Sequence, residues 1–346
     1  MKKKIILFAA IIAVFIVLPF MLTGFWIRLV TYILMFSVLA SALNIISGFT
    51  GYAAFGNMVF FGLGAYTVSV LMNKAGFPFV AAFLAAGCVA IVMAVLLGML
   101  LLRLKGHYFA LGTLGAAEAV KYIIDNMTKL TGGGQGTTVP SMKGNPYMTN
   151  TFFYFAMFAM LIVILIVAYR ISKNRLGYAF KSIRANEEAA GVMGIDTTRY
   201  KIISWSISAL FTGLTGALYA YWFSYIDPPT VFDVMWVVKM FVMILIGGAG
   251  TVFGPVIGAF ILETISELVW SRFLNLHLGI LGTIIILVVL FMPNGIISLV
   301  NQGKSLKTVA AGFRRGSGRG APRGQTAEDR VRTAAADRVR TAAADR

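Results

Sequence analysis

Apolar residues come in long runs separated by short polar breaks. The runs cover about Ile5–Leu22, Ile27–Ile46, Tyr52–Met72, Phe77–Leu102, Tyr108–Ile124, Thr151–Tyr169, Tyr200–Phe223 and Leu278–Val300, with a longer stretch from Met235 to Trp270. A helix needs about 20 apolar residues to cross a hydrocarbon layer of about 30 Å, and only a helix satisfies its own backbone polar groups there. The two-residue alternation of a membrane barrel is not seen. The pattern predicts an all-α polytopic membrane protein.

The stretch Met235–Trp270 sets the number of crossings. As one straight helix it reaches about 54 Å, too long for any ordinary tilt. Its middle reads "GGAGTVFGP", where the glycines and Pro255 interrupt a helix. It is therefore expected to fold as a hairpin of two legs, which makes about ten transmembrane helices, including broken Gly-rich segments.

Charge gives the orientation. Of the 346 residues only 12 % are charged, against about 25 % in soluble proteins, yet the net charge is +17. The basic residues gather at Lys2–Lys4, between Arg170 and Lys201, and after Val300. Cytoplasmic loops carry such an excess, so both termini and the central segment are placed in the cytoplasm, and the charge argues for a lipid bilayer as neighbour rather than nucleic acid. An even number of crossings agrees with this. The start "MKKKIILFAAIIAVFIVLPF" has the build of a signal peptide but no small-x-small site follows, so it is read as an uncleaved first helix. Residues 1–300 form the transmembrane domain in this reading. Residues 301–346, with "DRVRTAAA" twice in tandem, form a basic Gly/Ala/Arg-rich tail expected to be disordered. Cys88, in an apolar run, is expected to be a small buried side chain.

Enzymatic constellations are missing. His107 and His277 stand far apart without cysteine partners, so no metal site is expected. "SLVNQGKS" at Ser298–Ser305 follows a membrane helix and lacks the first glycine of a phosphate loop, so no bound cofactor is expected either. Glycine is more informative. "GFTGYAAFGNMVFFGLGAY" (Gly48–Tyr66) contains Gly51 and Gly56, and "GGAGTVFGPVIGAF" (Gly247–Phe260) contains Gly250, Gly254 and Gly258 at a spacing of four. That spacing predicts one smooth helix face for close packing, or a broken helix lining a pathway. Glu118 and Lys121 can meet on one helix face, and Lys239, Glu263 and Glu267 fall in the Gly-rich hairpin. Charge in lipid costs roughly 2.5–3.5 kcal/mol or more per residue. Glu118 and Lys239 are therefore candidates for the bundle interior, while Lys121, Glu263 and Glu267 are expected near the outer surface.

One polar stretch remains, "RANEEAAGVMGID" at Arg184–Asp196. Asn186 can cap a helix starting at Glu187, the acids suit its N-terminal end, and Gly194 can close it. A short helix is thus expected across the cytoplasmic face, within residues 170–201. Its "EAA…G" (Glu188, Ala189, Ala190, Gly194) resembles the signature of ABC importer permeases. "LNIISGFTGYAAFGNMVFFGLGAYT", "LRLKGHYFALGTLGAAEAVKYI", "LTGGGQG" and "ILIGGAGTVFGPVIGA" extend the resemblance, in matching order over roughly residues 25–300, to the branched-chain amino acid ABC permease family of the LivM type. The "I-x-LP" ending of the wider signature is missing after Gly194, and the basic tail has no counterpart. The resemblance implies a multi-pass subunit of the bacterial inner membrane that carries Leu, Ile and Val. It also implies a second homologous permease, two cytoplasmic ABC ATPases and a periplasmic substrate-binding protein as partners. Glu187, Glu188, Ala189, Ala190, Gly191 and Gly194 would couple the chain to the ATPase, which alone hydrolyses ATP. Urea, amides or other amino acids are alternative cargoes, and a stand-alone secondary transporter using Glu118 or Lys239 is the alternative mechanism.

Overall fold

The computed structural model describes residues 15–22, 24–142 and 145–272, with Gly279, Gly282, Thr283 and Ile286. The expectations for Lys2–Lys4, most of the first run, the run Leu278–Val300, His277, Ser298–Ser305 and the tail fall outside these residues. Within them the chain is helical almost throughout. Residues 15–21 are helical, and ten α-helices of six residues or more follow: α1 (Phe25–Asn44), α2 (Met58–Lys74), α3 (Phe79–Leu101), α4 (His107–Asn126), α5 (Pro146–Lys173), α6 (Arg175–Ala185), α7 (Glu187–Val192), α8 (Thr197–Phe223), α9 (Val234–Gly247) and α10 (Gly254–Arg272). Two short strands, β1 (Thr137–Thr138) and β2 (Tyr225–Ile226), pair antiparallel.

Six of the described helical segments are long and apolar enough to cross a membrane: Phe25–Phe49, Phe55–Lys74, Phe79–Leu101, Pro146–Lys173, Thr197–Phe223 and Pro228–Gly247. The protein is an all-α, polytopic membrane protein. α4 and α10 are of similar length but carry Glu118, Lys121 and Asp125, and Glu263 and Glu267, respectively. Local chemistry sets the starts. Asn145 accepts from the Tyr147 N–H at 3.2 Å with Pro146 at the first helical position of α5. Asp233 accepts from the Met235 N–H at 2.8 Å at the start of α9.

Two helices are interrupted where the sequence is richest in glycine. α1 loosens into a π turn at Ile45–Phe49, and a 3-10 turn at Phe55–Asn57 leads into α2. The stretch Met235–Trp270 divides into α9 and α10, which pack on each other around the turn at residues 248–253. Gly250 lies in that turn with φ +78°, a left-handed conformation that disfavours any side chain. This corrects the expectation of a Gly250–Gly254–Gly258 face. Only Gly254 and Gly258 are helical, because the helix resumes at Gly254, which packs against Gly247, while Gly258 lies against the Met243 carbonyl.

α1 is the most enclosed span and α3 the least. α2 crosses α8 at backbone contact, with Gly64 against Gly213 and Gly216 against Phe61, leaving no space for a Cβ. Inside that crossing the buried Asn57 amide donates to Thr212 Oγ1 at 2.9 Å and accepts from Ser208 Oγ at 3.2 Å. Cys88 is exposed, contrary to expectation. It lies one turn from both Leu84 and Val92, which share the outward face of α3. Glu263 is likewise not at the surface but buried, since it faces Lys239 across the hairpin.

The bundle has two distinct ends. At one, α6 and α7 join the end of α5 to the start of α8. At the other lie the β1–β2 pair, the end of α2, whose Asn73 donates to the Thr138 carbonyl, and the Tyr225 hydroxyl bound to the Gln135 carbonyl at 2.8 Å.

Candidate functional site

The polar segment between α5 and α8 is ordered from its own sequence upward. Asn186 caps α7, its side chain accepting from the Ala189 N–H at 3.0 Å. At the other end Gly194 takes φ +84°, and the N–H groups of Gly194 and Ile195 return to the carbonyls of Gly191 and Ala190, both at 3.0 Å. This is the pair of hydrogen bonds of a glycine-closed helix end. Asp196 then caps α8 by accepting from the Arg199 N–H at 3.0 Å. α6 presses Phe180 and Ile183 into the bundle.

α7 has two faces. Ala190 is buried, whereas Glu188, Ala189, Gly191 and Gly194 are exposed. Val192 and Met193, at 88 % and 82 % exposure, form an apolar tip. Glu188 meets Lys105 at 3.1 Å, an open pair worth at most about 1 kcal/mol.

Glu187 faces inward. Lys201, only 2 % exposed, donates from Nζ to Glu187 Oε1 at 2.7 Å, to the Leu102 carbonyl at 3.0 Å and to the Tyr52 hydroxyl at 3.2 Å. The Tyr52 hydroxyl donates in turn to Glu187 Oε2, and the ammonium lies 4.7 Å from the Tyr52 ring centroid. Burial raises the Glu187 pKa, but the hydrogen bonds from Lys201 and Tyr52 and the Lys201 charge outweigh it, so the carboxyl ionises below its ordinary range. Burial, with the hydrogen bond to Glu187, pushes the Tyr52 hydroxyl up. A charged Glu187–Lys201 pair with a neutral phenol therefore ties α7 to the start of α8, the end of α3 and the loop before α2. From Tyr52 an aromatic line runs inward through Phe109, Trp205 and Phe60, with centroids 5.1, 5.6 and 5.5 Å apart.

A second polar clamp lies beside the first. Arg184, at the end of α6, donates to the Gly48 carbonyl and, at 3.4 Å, to the Ala249 carbonyl. Asn44 donates to the Thr251 carbonyl at 2.8 Å and accepts from the Gly250 N–H at 2.9 Å. The two Gly-rich interruptions thus touch each other, and Arg184 touches both. Gly51, with φ +80°, sits against the Arg184 side chain.

The other expected residues lie apart. Gly56 is tucked under the Thr113 backbone of α4. Glu118 meets Lys121 at 3.4 Å, both partly exposed on α4. Lys239 meets Glu263 at 3.5 Å and stands 5.4 Å from the Phe36 ring centroid. The sequence reading missed Tyr52, Lys201, Arg184, Asn44 and Asn57, and the apolar tip Val192–Met193. A lone Asn within an apolar run was the legible signal for Asn44 and Asn57. Lys201 was counted only as one more cytoplasmic positive charge.

The family model for "Branched-chain amino acid transport system / permease component" matches residues 25–289. The permease LivM of the high-affinity branched-chain amino acid transport system of Salmonella typhimurium is 27 % identical over 333 residues, covering 89 % of this chain and 78 % of that protein. The probable branched-chain amino acid transport permease LivM of Methanocaldococcus jannaschii is 24 % identical, covering 69 % and 78 %. The autoinducer 2 import system permease LsrC of Yersinia pestis is 28 % identical, covering 60 % and 59 %. No solved structure matches the chain. The chain belongs to the branched-chain amino acid transport system permease component family.

Proposed function

We propose that this chain is the transmembrane permease subunit of an ABC importer for leucine, isoleucine and valine in the bacterial inner membrane. It crosses about ten times with both termini cytoplasmic, and α7 is the helix through which a cytoplasmic ATPase moves it. The partners are a second homologous permease, two ATPases and a periplasmic binding protein. The carrying observation is the division of labour within α7. One face offers Glu188, Val192 and Met193 outward, while the other holds Glu187 in the bond to Lys201 and Tyr52.

A push on α7 then has a defined route. Through Lys201 it reaches α8, through Tyr52 it reaches the interruption before α2, and through Arg184 at the end of α6 it reaches both Gly-rich interruptions. Irregular backbone at membrane depth is tolerated only against protein or a water-filled path, and in broken-helix transporters it forms the site about which the bundles rock. Permeases named for autoinducer 2 import and for branched-chain amino acid transport both match this chain, and on this reading cargo selection rests largely with the binding protein.

Reconstitution tests the reading. The full assembly in proteoliposomes is expected to accumulate leucine only with binding protein and ATP. Uptake by the permease alone on an ion gradient would establish a secondary transporter instead, and uptake of urea or amides in place of leucine would move the cargo.

A further inference from the structure

At the strand end of the bundle a cavity of about 840 Å³ lies between the starts of α1 and α5, the end of α8, and Glu267 of α10. Its size falls within the roughly 300–1,000 Å³ usual for small-molecule sites. α5 and α8 contribute the ends opposite those that join α6 and α7, so the cavity faces away from α7 across the length of the bundle.

Its chemistry is mixed. Arg28 and Glu267 both line it, with the Asn150 amide and the apolar surfaces of Leu29 and Trp222. Asn150 and Trp222 join α5 to α8 through a 3.5 Å hydrogen bond, which sets the indole on the wall. The two charges are not spent on each other, since the ion pairs among the described residues are Lys105–Glu188, Glu118–Lys121, Glu187–Lys201 and Lys239–Glu263. One turn along α10, Glu263 is already paired with Lys239, which leaves Glu267 as the carboxylate of that helix without an ion pair among the described residues. Arginine or glutamate near a membrane surface ordinarily reaches for water. That habit does not explain a guanidinium and a carboxylate sharing one cavity with an apolar wall.

We propose that this cavity receives a zwitterionic, apolar amino acid. The substrate carboxylate sits toward Arg28, its ammonium toward Glu267, and its hydrocarbon chain on Leu29 and Trp222. The proposal rests on the transport reading and adds a subsite within this subunit. It also selects among cargoes, because urea and amides carry neither charge and leave Arg28 and Glu267 unanswered.

The test uses the full transporter assembly in proteoliposomes, with Cys88→Ser removing the native thiol and Thr149→Cys placing one on the cavity wall. A membrane-impermeant methanethiosulfonate is added on the side that receives the binding protein. Leucine is expected to slow labelling about fivefold or more, whereas 3-methylbutylamine and 4-methylpentanoate, which each lack one charge, slow it little. Glu267→Gln and Arg28→Gln are each expected to abolish the protection, and the exchanged pair Arg28→Glu with Glu267→Arg to restore part of it. Equal protection by all three compounds, protection that survives both single substitutions, or a Thr149→Cys thiol that does not label from that side overturns the site. ATP-driven leucine uptake is measured in the same vesicles. Its absence in the unsubstituted assembly overturns the transport reading, whereas intact uptake in that assembly and in both charge variants overturns the subsite alone.

Discussion

Lys201 is buried with three hydrogen bonds from Nζ, so that all three of its protons have acceptors. Removing one member of such a buried pair strands the other, at a cost of about 3–5 kcal/mol, whereas replacing both with apolar groups costs much less. Lys201→Met is therefore expected to lower the thermal midpoint of the detergent-solubilised protein strongly, and Lys201→Met with Glu187→Met to recover much of the loss. A double variant no better than the single would show that the pair is not the source. The pH dependence has a definite sign. The folded Glu187 carboxyl titrates below its ordinary range, so its contribution is fully present above about pH 4.3 and fades as pH falls through the folded value. Amide protection in α7, corrected for intrinsic exchange, should be flat from about pH 5 to 8 and collapse only in stronger acid. A decline centred near neutrality would contradict the charged-pair assignment. None of this was legible in the sequence. Glu187 and Glu188 are neighbours of one type in one motif, and only the arrival of Lys201 and Tyr52 from elsewhere in the chain turns one inward.

At the level of elements the sequence reading went further. Six of the long spans, the interruption at "GGAGTVFGP", the Asn186 cap and the Gly194 closure follow from local chemistry and are found among the described residues. What failed was whatever depended on the partner of a helix face. A four-residue glycine spacing reads as a stripe only if the helix is unbroken, and Gly250 lies outside it. Cys88 in an apolar run reads as core unless the outer face is also apolar, which in a bilayer it is. Two substitutions probe this scale. Glu188→Lys on the exposed face of α7 should weaken ATPase co-purification while membrane insertion and the thermal midpoint stay unchanged, because its pair with Lys105 is open to water. Unchanged co-purification and uptake would remove α7 from the contact. Gly216→Val places a branched side chain where the Phe61 backbone lies. It should cost about 1–3 kcal/mol or more by forcing α8 off α2, seen as a lower thermal midpoint and lower yield.

For the molecule as a whole, the question is whether α7 and the membrane helices move as one body. The two clamps answer differently if cut. Glu187 and Lys201 fasten α7 to the bundle, so losing them loosens α7 itself. Arg184 instead reaches from α6 to the carbonyls of Gly48 and Ala249, and it makes no contact that forms the outward face of α7. Arg184→Gln should thus leave ATPase docking and basal ATP hydrolysis near the parent level and reduce leucine transported per ATP about tenfold. That factor corresponds to a coupling of about 1.4 kcal/mol, within the usual range between linked sites. Asn44→Ala, which unties the two interruptions from each other without touching α6, should act in the same direction. If hydrolysis and uptake fall together in both variants, with co-purification lost, the clamp merely holds the fold. If hydrolysis persists while uptake fails, the interruptions are the moving part, and the charged segment at their base is what moves them.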